Sequence, residues 1–274
     1  MYPAGMSRRI GSLVALLLAA CAGHAAEPVV PADGEATGSE SEPPPPATPS
    51  PPPAELRLIH AAVESREQPV TLVIDASAAT AATGYEFASA YLPTTPAEHP
   101  VSARASETEL IGASFSFPEG RSTLIAYSTA DFPVALALAS DTAEPAPDGS
   151  AQIRVFHALV GQGAVDVCSP PATARGDGAP VVLDVAPGAL GSDGRYTIVP
   201  AGTELAVQLR AHHATPCHGR AIGIAHGFTP VSAANYTLVF VGRTGRRGVS
   251  PELLFCADPP ADDTSCATVA IDAH

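Results

Sequence analysis

Two seven-residue stretches, 97 positions apart, carry the same order of residue types. Glu55-Leu56-Arg57-Leu58-Ile59-His60-Ala61 returns as Gln152-Ile153-Arg154-Val155-Phe156-His157-Ala158. Each opens about a hundred residues of strand-like sequence, so the chain reads as a tandem duplication of one β-rich unit. Side chains alternate across a strand, which sets His60 on one face with Leu56 and Leu58, and His157 with Ile153 and Val155. That face is expected to look into a core, with Arg57 and Arg154 on the opposite face. Each histidine then has two readings: a buried ring satisfied by a backbone carbonyl, or a ligand repeated in both units. Because the copies fall in separate predicted domains, they are not expected to build one centre.

Elsewhere short runs alternate at a period of two, with turn residues every 8 to 12 positions, and no run outside the first 21 residues holds helical spacing. The expected fold is all-β, with two tandem immunoglobulin-like (Greek-key) β-sandwich domains after a disordered Pro-rich stalk. The boundaries are 55–142 for the first sandwich, 151–256 for the second and 257–274 for a C-terminal tail, with Asp141–Ser150 as the linker. The match between repeats continues where Tyr91-Leu92-Pro93 parallels Tyr196 to Pro200, and where Phe117 to Ala126 parallels Thr229 to Phe240. Trp is absent and aromatics make up 5%, so the cores must be built from Ala, Val, Leu and Ile.

Residues 1–21 read as a lipoprotein signal. Arg8-Arg9 precede an apolar run from Ile10 to Ala20, too short to span a bilayer, and Leu18-Ala19-Ala20-Cys21 resembles a lipobox. Cys21 is the expected lipid-attachment residue, and two acyl chains on its sulfur would anchor the protein stably. An ordinary secretory signal with an incidental cysteine is the alternative. Ala22, not Asp, follows the cysteine, which favours an outer-membrane lipoprotein of the bacterial cell envelope, on the periplasmic face or the cell surface. Residues 22–54 lack apolar periodicity and end in Pro43 to Pro46, Pro49 and Pro51 to Pro53. They read as an extended tether of polyproline II character.

An Arg-x-x-His-Ala strand, Val165-Asp166-Val167-Cys168, the Tyr196 to Thr203 segment and Asn235-Tyr236-Thr237-Leu238 together resemble DUF4397. This is a family of domains of unknown function in secreted and surface-attached bacterial and archaeal proteins. The resemblance covers about residues 55 to 256 and is closer in the second repeat. The first departs at Thr71, where Asp is expected, and at His99-Pro100, where Gly is. It implies an immunoglobulin-like sandwich and an extracytoplasmic role, and it brings no catalytic residues with it.

With Cys21 assigned to lipid, Cys168, Cys217, Cys256 and Cys266 remain, an even number in an exported chain. Three connectivities are open; Cys168–Cys217 and Cys256–Cys266 are favoured. Both bonds would lie in the second repeat, so the first is expected to unfold first. His212, His213, His218 and His226 gather around Cys217 and are candidate ligands for Zn²⁺ or Cu²⁺, against a reading as exposed loop histidines. Arg175-Gly176-Asp177 in a Gly/Pro-rich loop is a short motif that arises easily by chance.

All 14 basic residues are Arg, which excludes Schiff-base, pyridoxal-phosphate and P-loop chemistry. Loss of Arg8 and Arg9 with the signal would take the net charge from −14 to −16, so nucleic acid is not an expected partner. No familiar hydrolase or metalloprotease motif is present. The expectation is a non-enzymatic, cofactor-free, lipid-anchored envelope protein whose two β-sandwiches serve adhesion, envelope organisation or partner binding. Its partners would be the membrane through the lipid, and an envelope or extracellular protein or glycan. The alternatives are a metal-binding protein using the His212–His226 cluster, and a hydrolase with an unrecognised site.

Overall fold

A computed structural model describes residues 53–141, 144–170, 178–245, 250–258 and 266–273. Cys21, the expected tether up to residue 52, and Arg175-Gly176-Asp177 lie outside the described residues. Among the described residues the only helical segments are two short 3₁₀ turns, Val63–Ser65 and Gly191–Gly194; the rest of the regular structure is strand.

The first repeat comprises β1 (Ala54–Ala61), β2 (Thr71–Ile74), β3 (Ser77–Ala78), β4 (Leu92–Thr94), β5 (Glu98–Ala105), β6 (Thr108–Ser116), β7 (Gly120–Tyr127) and β8 (Ala135–Ser140). The second comprises β9 (Ser150–His157), β10 (Val165–Ser169), β11 (Ala179–Val185), β12 (Thr197–Pro200), β13 (Leu205–Ala211), β14 (Ala221–Phe228), β15 (Asn235–Val241), β16 (Glu252–Asp258) and β17 (Cys266–Ala273). The order β4-β1-β7-β8 recurs as β12-β9-β15-β16, and β3-β2-β5-β6 recurs as β11-β10-β13-β14. The registers repeat as well. β1 runs parallel to β7 with Arg57 opposite Thr123, and β9 runs parallel to β15 with Arg154 opposite Thr237.

Each repeat packs its two sheets over one core. Leu56, Leu58, Leu72, Val101, Ala103 and Leu124 meet in the first; Ile153, Val155, Val167, Leu209, Leu238 and Phe255 meet in the second. These aliphatic layers supply the burial that the scarce aromatics cannot. A third cluster joins Ile59, Ala61 and Ile125 to Phe156, Val239 and Leu254, so the repeats pack on each other. The strands β1, β7, β9 and β15 are therefore buried on both faces, which explains their nearly unbroken apolar sequence.

Three boundaries differ from the sequence reading. Asp141, expected to open a linker, is a buried residue at the end of β8. Ala257 and Asp258, assigned to a tail, finish β16. Residues 266–273 form β17, which pairs first with β16 and then with β14, joining the two sheets of the second repeat into one of nine strands. The first repeat has no counterpart of β17 among the described residues.

Candidate functional site

The face that carries Arg57 and Arg154 looks onto the junction between the repeats, and both guanidiniums are fully buried there. Arg57 Nε donates to Thr123 Oγ1 at 2.8 Å and Nη1 to the Ala257 carbonyl at 2.6 Å, while Nη2 pairs with Asp258 Oδ1. Arg154 repeats this in reverse. Its Nε donates to Thr237 Oγ1 at 2.8 Å, Nη1 to the Ser140 carbonyl at 2.5 Å, and Nη2 pairs with Asp141 Oδ1. Thr123 passes its proton to Asp141 Oδ2 at 2.6 Å, and Thr237 to Asp258 Oδ2 at 2.7 Å. The result is a closed ring, Arg57–Thr123–Asp141–Arg154–Thr237–Asp258, in which each arginine is neutralised by the carboxylate of the other repeat.

Tyrosines finish the ring. Tyr91 donates to Asp141 at 2.6 Å with Arg57 5.0 Å from its ring centre; Tyr196 donates to Asp258 at 2.9 Å with Arg154 at 4.9 Å. Burial would lower Arg154, but Asp258 and Asp141 hold it above its ordinary value. Burial pushes Asp258 up against the pull of Arg154 and Arg57, and raises both tyrosines. A buried ion pair needs its remaining donors and acceptors satisfied, and here the threonines, tyrosines and two carbonyls do so. Chemically the ring holds the repeats together. The two arginine positions, for which the residue pattern carries no expectation of contact, are joined in one centre.

The histidines take the satisfied-ring reading. His60 Nδ1 accepts the Ala62 N–H at 3.3 Å and Nε2 meets the Gln68 carbonyl at 3.2 Å; His157 Nδ1 accepts the Leu159 N–H at 3.2 Å and Nε2 meets the Gly163 carbonyl at 2.9 Å. Both rings are neutral Nε2–H tautomers that pin the turn after their strand, and burial lowers both pKa values. No lone pair is left for a ligand.

The second cluster is dispersed. His212 Nδ1 lies 2.8 Å from Asp166 Oδ1, and this contact raises its pKa. Asp166 also accepts N–H groups from Asp184 and Cys217. His213 accepts the Thr215 N–H at 3.1 Å, and His226 lies 3.6 Å from Glu204. Cys217 is bonded to Cys168 and Cys256 to Cys266, the favoured pairing. Among the described residues no three His, Cys, Asp or Glu side chains are placed to share a metal ion.

Sequence reasoning missed three features. Glu86, on a loop of the first repeat, shares a hydrogen bond with Glu252 of β16, and burial with that contact pushes its pKa up to about 8. Arg243 pairs with Glu64 across the same junction. On the outer face of β2, β5 and β6 lies an open groove of about 510 Å³, floored by Val73, Ser102 and Gly112 and ended by Arg104 and Glu109. Arg104 and Arg210 stand opposite Thr71 and Asp166 at matching register positions, so the Thr-for-Asp departure falls beside this groove.

Comparison with curated proteins finds no match. Residues 54–168 match the family model of DUF4397, described as a domain of unknown function. The matched segment contains Arg57, Asp141 and Arg154, running through the first repeat and into β10; it therefore crosses the repeat boundary. From Ala54 to Cys168, this chain is thus similar to DUF4397.

Proposed function

We propose that the protein is a non-catalytic, lipid-anchored component of the bacterial cell envelope, whose clasped double β-sandwich is a rigid binding or scaffold module held off the membrane by its proline-rich stalk. The observation that carries this reading is the pair of disulfides in a chain that opens with a lipobox-like Leu18-Ala19-Ala20-Cys21. Structural disulfides belong to oxidising compartments, and the lipobox supplies the address. The most strongly perturbed charges support the non-catalytic part, since the ring spends them on holding two repeats together. A protein or glycan partner fits the acidic surface better than nucleic acid does.

Metabolic labelling with a palmitate analogue, followed by membrane fractionation, tests the anchor. The wild-type chain is expected in the membrane fraction with label, and Cys21→Ser in the soluble fraction without it. An unlabelled wild-type chain would overturn the reading. Protease shaving of intact cells then assigns the surface or the periplasmic face.

A further inference from the structure

We propose that the seam between β6 and β8 of the first repeat receives a free extended strand from a partner protein. The second repeat displays what fills such a seam. There β17 lies antiparallel to β16 through Cys266–Ala270 and then to β14 through Ile271–Ala273. Its Ile271 and Val269 complete the core between the sheets. In the first repeat β6 and β8 hold the places of β14 and β16, each is the last strand of its sheet, and the two edges approach one another in the same way.

Burial records the difference. By register, Leu136 and Leu138 of β8 occupy the positions of Leu253 and Phe255 of β16. Leu253 and Phe255 are 0% and 4% exposed, whereas Leu136 and Leu138 are only half-buried, as are Leu110, Ile111 and Phe115 of β6. The edge itself is unguarded. Ala135-Leu136-Ala137-Leu138-Ala139-Ser140 carries no charge, proline or bulge, the devices that normally keep an edge strand from pairing. A ladder edge that no described strand covers, above half-buried aliphatic side chains, is the acceptor geometry of strand addition.

The shape of the seam selects the occupant. It is a corner between two sheets, so the entering strand must be free on both sides, as β17 is; the folded edge of a second copy would bring its own sheet into collision. This chain's residues 22–52 do not suit it either. Their longest proline-free run, Ala32 to Glu42, has no aliphatic side chain larger than alanine and carries four acidic residues, Asp33, Glu35, Glu40 and Glu42. The fitting ligand is a terminal or linker segment of another protein, about eight residues long, with an aliphatic residue at every second position. The inference rests on the fold alone and is independent of where the protein is anchored.

Hydrogen exchange of the disulfide-bonded protein, with and without a peptide of residues 266–273 carrying Cys266→Ser, tests it. Slower exchange is expected over β6 and β8, none over β14 and β16, and no effect from the same peptide with Val269→Asp and Ile271→Asp. Absence of protection at millimolar peptide would overturn the proposal. So would protection at β14 and β16, which means strand exchange in the second repeat. Protection of β6 and β8 without peptide, together with a dimer in sedimentation, would instead give the seam to a second copy.

Discussion

Arg57 and Asp258 stand 201 residues apart in the chain and form an ion pair with both side chains at most 1% exposed. Neither repeat can satisfy this contact by itself. The mirrored pair, Arg154 with Asp141, makes the dependence mutual, so the two sandwiches should fold and melt as one body.

Removing one carboxylate leaves a buried guanidinium without its counter-charge. Asp258→Ala is expected to lower unfolding stability by about 3–5 kcal/mol, measured by urea denaturation. The wild-type chain should unfold in a single transition by fluorescence and circular dichroism, whereas the expectation from the disulfides alone is that the first repeat melts first. Two separated transitions would contradict the ring as the link.

Glu86 gives stability a pH dependence of definite sign. Its carboxyl is raised from an ordinary 4.5 to about 8, chiefly by burial and then by Glu252. The fold favours the protonated form, so this contribution is whole below pH 4.5 and is lost as pH climbs through 8. Glu86→Gln should flatten that decline in a pH series of urea melts.

Cys168–Cys217 closes a separation of 49 residues. The double variant Cys168→Ser, Cys217→Ser should lose about 3–5 kcal/mol by chain entropy. The loss should appear as an equal shift of both repeats, read by hydrogen exchange at β1 and at β9.

Gly223 lets β17 approach β14. A Cβ there would sit 2.4 Å from Ile271 Cγ2 and 2.6 Å from the Asp272 carbonyl oxygen. Gly223→Ala should cost about 1–3 kcal/mol through this overpacking and speed amide exchange in β17.

Much of this architecture was legible in the residues. Alternation along β1 and β9 set His60 and His157 inward, and the cysteine count led to the pairing found. The same strands also carried the sign that both faces are buried, because Ile59 and Ala61 follow Arg57 on its own face. What could not be read was the partner of each arginine. Asp141 and Asp258 lie at strand ends beside Pro- and Ala-rich segments, and nothing local separates them from loop acids; only the packing of one repeat on the other gives them their role. β17 escaped for a related reason. Its alternation, Ala267, Val269, Ile271, is short and weakly apolar, and it becomes a strand because two waiting edges receive it.

The reciprocity of the ring has an implication for how such a molecule is put together. Contacts in which residue i meets j and j meets i are those of an isologous interface, the kind that joins two identical subunits about a twofold axis. One repeat, synthesised twice, would present the same arginine to the same carboxylate. The covalent connection between Asp141 and Ser150 thus fixes at one to one a partnership that separate subunits would have to maintain by concentration, and it frees each half to diverge everywhere except at the six residues they share.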